Sequence, residues 1–497
     1  MRPLLQGPDR QGTPAGTALP PLDGPNPTPT AHQGAAAAMR PPGRAAGTGH
    51  AMKTVCVGGG PGALYFAIAA KRRDAGHDIT VIERDPPGAT YGWGVGYGDD
   101  LLDHLYRNDP DSAQAVRAAS ALWQDQEVRR GEQTAYLGRY GYSIARATLL
   151  DILTRRATEL GVDVQHRRKI DDLAELADAD LIVACDGANS QVRQLHGDHF
   201  GTRLEVGRNP YIWLGTDKVF PRFTFAFEPT PAGWIWFYAY PSSAEISTCV
   251  VECAPETWRG LGLDTLDTAD GVRLLEQIFA SALDGHALLG QSRGEPARWQ
   301  HFTEVRNATW CHDNVVLLGD AAHTTHYTLG SGTRLALLDA IELAHSLYTE
   351  AELPAALQVY DKRRRAALHP VQAAARTSMA WFEHLDHYLE QDLVDFAYAM
   401  SVRQGAQAPW HYQLHRATQV PVLRRVRREA GRGLRRYLAL RRGETALGTG
   451  SATREAHDHG GPGGTGGAPA VTAPDRAAPP GNLDHGTCRA VIPHSPW

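Results

Sequence analysis

Cysteine is scarce in this chain of 497 residues: there are six, and none falls at a spacing that would clasp a metal ion. Cys249 and Cys253 sit close together inside an apolar, strand-like run, where they read as buried thiols rather than as part of a disulfide framework. A disulfide scaffold is therefore excluded, and a reducing cytoplasm is the expected setting. No run of about 18 apolar residues occurs, which argues against a spanning helix. The opening residues Met1 to Pro8 lack the apolar centre of a signal peptide. An excess of positive charge is also missing. Lys and Arg number 50 against 55 Asp and Glu, a net charge of −5, so no general field draws in nucleic acid.

What is present is an ordinary globular composition, 42% hydrophobic and 21% charged, over a length that suggests two or three units. Both ends differ from the middle. Residues 1–51 and 446–497 are rich in Pro, Gly, Ala and Thr with few large apolar side chains, and are expected to be disordered. Met52 directly precedes the first strand-like run, so translation is expected to begin there in the native protein. Between the tails, strand and helix alternate: KTVCV at 53–57, a helix from Pro61 to Ala75, a strand over 77–83, a helix over 145–160 and a strand over 179–185. From Tyr211 to Cys253 short alternating stretches rich in Trp, Phe and Tyr predict a mainly antiparallel sheet. A buried strand at 315–318 and helices from Leu335 to Arg403 follow. The layout expected is a nucleotide-binding domain in 52–206, a substrate-domain sheet in 207–305, and a return with C-terminal helices in 306–405. A basic helical segment, 406–445, comes last.

The sharpest motif is Gly58-Gly59-Gly60-Pro61-Gly62-Ala63, a G-x-G-x-x-G/A string that follows a strand and opens a helix. Gly58 allows the tight turn, and Gly60 lets the backbone approach a pyrophosphate. Gly62 and Ala63 let helix and strand close up, with Pro61 at the first helical position. Helix N–H groups then face the phosphates. Glu83 ends the next strand about 20 residues on, where an acid accepts hydrogen bonds from ribose hydroxyls. The same glycine string at 461–466 has neither strand nor helix around it and reads as linker.

Two further strand-end turns, Asp186-Gly187 within 184–193 and Gly319-Asp320 within 318–323, complete an ordered set of three. Together they resemble the motifs of flavin-dependent aromatic hydroxylases. The segments 91–97 (YGWGVGY), 207–216 (GRNPYIWLGT), 250–253 (VVEC), 323–333 (HTTHYTLGSGT) and 381–388 are similar to the branch containing salicylyl-CoA 5-hydroxylases and the violacein-pathway tryptophan hydroxylase. The resemblance implies an α/β fold: a Rossmann-like FAD domain, an inserted antiparallel sheet as in para-hydroxybenzoate hydroxylase, and a helical C-terminal region. It implies FAD, with contacts at Arg84, Arg146, Asp186, Gly187, Gly319, Asp320 and Gly332, and NADH or NADPH as co-substrate. The activity implied is oxygen insertion into an electron-rich ring of a hydroxy- or aminobenzoate, free or as a CoA thioester. Where para-hydroxybenzoate enzymes have a Pro pair and an Asn, this chain has His326-Tyr327 and Arg334, so their active-site contacts do not transfer.

His326, on the loop after Asp320, is the first catalytic candidate, as a proton-handling or substrate-orienting group; the competing reading is a structural histidine. Tyr240 is the second, weighed against a core tyrosine with a satisfied hydroxyl. Trp213, Trp234, Trp236 and Phe237 are expected in a wall or core. The basic run 416–442 reads as a solvated helix face, or as a contact for CoA phosphates or an acidic partner. Alternatives are an indole hydroxylase and a flavoprotein dehydrogenase without oxygen insertion; a Trp-x-Trp at 234–236 without the following Ile-Pro leaves a halogenase behind them.

Overall fold

Lys53–Val57 forms the centre of a six-stranded sheet in the structure, a computed structural model that describes residues 52–89, 92–292, 295–403 and 410–444. The expectations for 1–51 and 446–497 lie outside the described residues. Along the sheet the order is Cys311–His312, Val315–Leu317, Leu181–Ala184, Lys53–Val57, Asp78–Ile82 and Asp163–Gln165. All neighbours run parallel except the terminal 311–312/315–317 hairpin. Continuous apolar runs such as LIVA, buried at every position, suit strands covered on both faces. The first strand lies between the second and the one at 181–184, so the chain sets off in opposite directions from the centre. Crevices open at the carboxyl ends of strands at such a point.

The helix predicted after the glycines runs from Pro61 to Arg73, and its first ten residues are all buried. It packs beside the Gly332–Thr349 helix over the parallel sheet. The helix expected over 145–160 spans Arg146–Glu159.

The second large sheet is mainly antiparallel, ordered Leu288–Leu289, Arg203–Thr216, Ser247–Cys253, Gly233–Pro241, Phe223–Thr230, Gln126–Arg130 and Gln133–Tyr136, with Gln300–Arg306 also paired to Arg203–Thr216. It extends beyond 207–305, because 126–130 and 133–136 come from the earlier stretch and the first of them joins Phe223–Thr230 in parallel. Alternation splits the side chains of Gly233–Pro241 between two cores. Trp236, Tyr238 and Tyr240 face one shared with Trp381, Phe382, Phe396 and Met400 of the C-terminal helices; Ile235, Phe237 and Ala239 face the other, with Leu275 and Phe279. Of the wall-or-core aromatics, Phe237 is thereby a core residue of the second cluster.

A small antiparallel sheet of Gly94–Tyr97, Tyr140–Ala145 and Ala121–Gln124 joins the two. Here the 91–97 and 207–216 segments interlock. A Cβ on Gly92 would meet the Trp213 ring at 2.6 Å, and one on Gly215 would meet the Trp93 ring at 2.6 Å. Each glycine leaves room for the other segment's tryptophan, which explains why both strings occur in one chain.

Candidate functional site

Three strand ends of the parallel sheet meet in one groove. After Val57 the chain turns at Gly58 with φ +98°, and a Cβ there would lie 2.5 Å from the Cys185 carbonyl oxygen. A side chain would force the first loop off the 185–187 loop. Gly62 is closed in as well, since its Cβ would come within 2.6 Å of the Leu318 side chain. Gly60 differs: nothing lies within 4 Å of the place its Cβ would take. The helix behind it has no side-chain cap, so its first N–H groups face the groove unspent.

Glu83 accepts the Gly59 N–H at 2.7 Å and the Asp85 N–H at 2.9 Å, which fixes its carboxylate against the glycine loop. With Gly59, Gly60, Arg146, Leu150 and Arg155 it lines a cleft of about 300 Å³. Arg84 does not join this cleft. Its side chain is 62% exposed and lies 3.8 Å from Asp85, in the bend that follows the Asp78–Ile82 strand.

The 185–187 and 319–321 loops are held together by Arg193. Its guanidinium donates to the Ala188 carbonyl at 2.6 Å and to the Ala321 carbonyl at 2.8 Å. Asp186 Oδ2 accepts the N–H groups of Gln191 and Val192, while its Oδ1 is buried without a partner. Gly187 and Gly319 take positive φ, +84° and +62°. The Asp320 side chain opens to the groove and makes no hydrogen bond among the described residues. The protein crowded round it raises its carboxyl above the ordinary value, and Arg146 and His323 oppose that rise. Burial lowers Arg146 in turn, Asp320 supports its charge, and its Nε has no partner. Gly332 opens the next helix, its Cβ position 3.9 Å from Asp320 Oδ1. The loop rests on Asp339, wholly buried, which accepts the Gly319 N–H at 3.2 Å, His323 Nε2 at 2.7 Å and Arg364 Nε at 2.7 Å. Burial pushes this carboxyl up, but His323 and Arg364 hold it below its usual value. His323 is thus structural, stacked on Trp310. Sequence reasoning passed over Asp339; the available signal was an acid on the apolar face of LALLDAIELA.

These residues fit FAD. The uncapped helix and open Gly60 suit a pyrophosphate, Glu83 a ribose, and unpartnered polar atoms on Asp186, Arg146 and Asp320 await a ligand rich in hydroxyls and phosphates.

Beyond Asp320 lies a second cavity of about 90 Å³, walled by Trp123, Phe223, Phe225, Tyr238, Tyr240 and Tyr327, with Arg139 and Arg403 also in its lining. Tyr240 contributes its ring only. Its hydroxyl donates to the Gly94 carbonyl at 2.8 Å, so Tyr240 stands in the cavity wall with its hydroxyl already spent, and a contact with a ligand falls to the ring. Gly96 lines this cavity, whereas Tyr97 turns away and stacks on Tyr142. His326 does not line it either. The ring is 4% exposed and packs against Phe302, and Nδ1 lies 2.8 Å from Thr328 Oγ1. Thr328 continues to Ser378 and Arg403. Burial first, and Arg403 second, push the imidazole down to about 3, which keeps it neutral. Of the two readings of His326, the geometry favours the structural one: a buried imidazole outside the cavity lining, tied to Thr328.

Behind Tyr327 sits Glu252, 1% exposed. Oε1 accepts Asn209 Nδ2 at 2.9 Å, and the Tyr327 hydroxyl and Trp236 indole lie alongside without well-formed hydrogen bonds. Burial raises the carboxyl to about 7. The VVEC segment thus supplies a buried acid whose neutral form burial favours.

A dinucleotide groove at three parallel strand ends, beside an aromatic cavity roofed by an antiparallel sheet, defines a flavoprotein oxidoreductase. Residues 138–375 match the FAD binding domain family. A 3-hydroxy-4-methyl-anthranilyl-[aryl-carrier protein] 5-monooxygenase of Streptosporangium sibiricum is 38% identical over 362 residues, 72% of this chain and 96% of that protein. A salicyloyl-CoA 5-hydroxylase of a Streptomyces species is 39% identical over 348 residues, 68% of this chain and 66% of that one. Among solved structures, p-nitrophenol 4-monooxygenase from Pseudomonas putida aligns with TM-score 0.56 and 18% identity over 74% of this chain and 97% of its own. The chain belongs to the FAD-dependent aromatic monooxygenases, which use NAD(P)H as co-substrate. This sets aside the dehydrogenase reading. Among the described residues no helix is long and apolar enough to cross a membrane.

Proposed function

We propose that the protein hydroxylates the ring of a hydroxy- or aminobenzoyl group presented as a thioester. The observation that carries this reading is the cavity itself: aromatic on its walls, with two cationic groups, Arg139 and Arg403, in its lining and near enough to feel one another's charge. FAD, when bound in the groove, supplies the electron transfer from NAD(P)H and the activation of oxygen. The chain's own residues do the placing. Phe223, Tyr238, Tyr240 and Tyr327 hold a planar ring by stacking and exclude water from it. Tyr240 gives up its hydroxyl to Gly94, so the wall presents no competing donor there. Arg139 and Arg403 face the acyl oxygen side of such a ring. The ring must carry its own electron-releasing hydroxyl or amine.

Thioesters are favoured by the relatives, one named for a CoA thioester and one for an aryl-carrier-protein substrate. A second reading, the free acid, is favoured by the same two arginines, which would pair with a carboxylate. A panel of free benzoates, their CoA and carrier-protein thioesters, and tryptophan decides the matter. Substrate-stimulated NAD(P)H oxidation with a product heavier by one oxygen is expected for a thioester; such a product from the free acids alone would overturn the thioester reading.

A further inference from the structure

Arg139 lines two cavities. One is the aromatic cavity; the other is a small surface cup of about 40 Å³ between residues 124–140 and the Pro421–Arg442 helix. The cup is lined by Arg424, Arg427, Arg428 and Arg435 together with Arg139. Their setting is built rather than incidental. Arg424 lies 3.6 Å over the Tyr136 ring and Arg435 lies 4.7 Å over Tyr140. Arg427 donates to the Leu137 carbonyl and to Thr418 Oγ1, both at 3.3 Å, and a side chain on Gly138 would collide with its guanidinium.

One acid, Asp125, lines the cup with these five cations, and Asp99, bonded to the Tyr140 hydroxyl, supports the charge of Arg435 from outside it. Asp125 Oδ1 is already committed to the N–H groups of Gly138 and Gln126, and the side chain is 4% exposed. Arg428 has no hydrogen bond or ion pair among the described residues, and its side chain is exposed. Burial first, and the Arg427 charge second, lower the affinity of the Arg139 guanidinium for its proton. A cluster of guanidinium groups with one committed carboxylate is a receptor for a multiply charged oxyanion, above all a phosphate.

We propose that this cup is the phosphate subsite of a phosphopantetheine arm, with Arg139 marking where the arm passes into the aromatic cavity. The inference rests on the thioester reading and adds the place where the carrier end is held. Coenzyme A and a carrier protein share this arm, so the shared chemistry is a phosphate ester joined to pantetheine.

Calorimetry on the FAD-loaded full chain tests it, with 4′-phosphopantetheine, coenzyme A and unphosphorylated pantetheine as probes. Phosphopantetheine is expected to bind at least about tenfold tighter than pantetheine, with an advantage that shrinks in salt. Arg428→Ala, and more so Arg424→Ala with Arg428→Ala, should erase that advantage. Arg441→Ala, on the same helix but outside the cup, should keep it. Equal affinity for the two pantetheines in the unaltered protein, or an advantage untouched in the double variant, overturns the proposal. Retained flavin absorbance in each variant shows that the fold has survived. If coenzyme A binds tighter than phosphopantetheine, the free cofactor is the source; if the two bind equally, the carrier-protein arm is. The thioester reading stands or falls on turnover and this subsite on binding ratios, so a failure of one is distinguishable from a failure of the other.

Discussion

At the cofactor groove, the working parts are backbone: turns at the ends of three parallel strands, a helix start without a cap, and glycines where a Cβ has no room or would obstruct a ligand. At the aromatic cavity, they are side chains drawn from residues 96–139, 223–240, 327–330 and 401–403. The first site depends on a few φ angles and close approaches within short strings. The second depends on how two sheets and the C-terminal helices pack. A change of one atom should therefore ruin the groove, while the cavity should answer through pH, stability and ring placement.

Gly58→Ala is the most severe test of that contrast. Its φ of +98° disfavours any side chain by about 1–2 kcal/mol, and the added Cβ would sit 2.5 Å from a backbone oxygen of the neighbouring loop. Loss of nearly all bound flavin is expected, read as the flavin-to-protein absorbance ratio after gel filtration. A variant that keeps stoichiometric flavin would show that the groove is not set by its backbone.

That difference also governs what the sequence disclosed. The placement of Gly58, Glu83, Asp186, Gly319 and Asp320 was legible because each is tied to a strand end by a fixed local offset, and their convergence follows once the strands are parallel. Arg84 lies outside the lining of the Glu83 cleft because the chain bends directly after Ile82, and adjacency in sequence does not say which way a bend turns its side chains. Tyr240 and His326 were named from chain position, but their partners, Gly94 and Thr328 with Arg403, are set by packing. Glu252, Arg139 and Arg403 lie far apart in sequence, and only the large sheet and helices bring them beside one cavity. The two strands at 126–136 escaped the sheet limits for the same reason: their pairing crosses nearly a hundred residues.

His326 and Glu252 sharpen the comparison because they titrate in opposite senses behind the cavity. The His326 imidazole falls to about 3 when folded, so the unfolded chain binds more protons below the ordinary histidine value. Stability is then lost as pH falls from about 6.5 toward 3. His326→Gln, which keeps a polar group for Thr328, should flatten that acid limb in a series of melting temperatures. Turnover near pH 7 is expected to stay within about twofold, since no proton transfer is lost. A tenfold fall in coupled turnover would restore a catalytic role.

Glu252 works the other way. Its folded value of about 7 exceeds that of an ordinary carboxyl, so the folded chain holds the proton more firmly. Stability declines as pH rises from the carboxylate range to 7, by on the order of 3 kcal/mol if the shift is fully expressed. Glu252→Gln retains an oxygen for Asn209 and removes the ionisation. The variant should match the parent near pH 4.5 and exceed it in melting temperature above pH 7; a parallel pair of curves would remove the buried charge from the account.

The smallest effect belongs to Tyr240→Phe. The ring stays in the wall, stacked 5.1 Å from Phe223, and only the hydroxyl bonded to the Gly94 carbonyl is lost. An orphaned carbonyl costs about 1 kcal/mol, seen as a modest drop in denaturant midpoint. Because Gly94 belongs to the strand next to Trp93, whose ring packs on Gly215, the loss loosens the seam between the small sheet and the large one. The aromatic wall itself remains, so KM for the preferred substrate should change less than threefold. A large rise in KM with unchanged stability would mean that the hydroxyl leaves Gly94 for the ligand, and would make Tyr240 a binding residue in its own right.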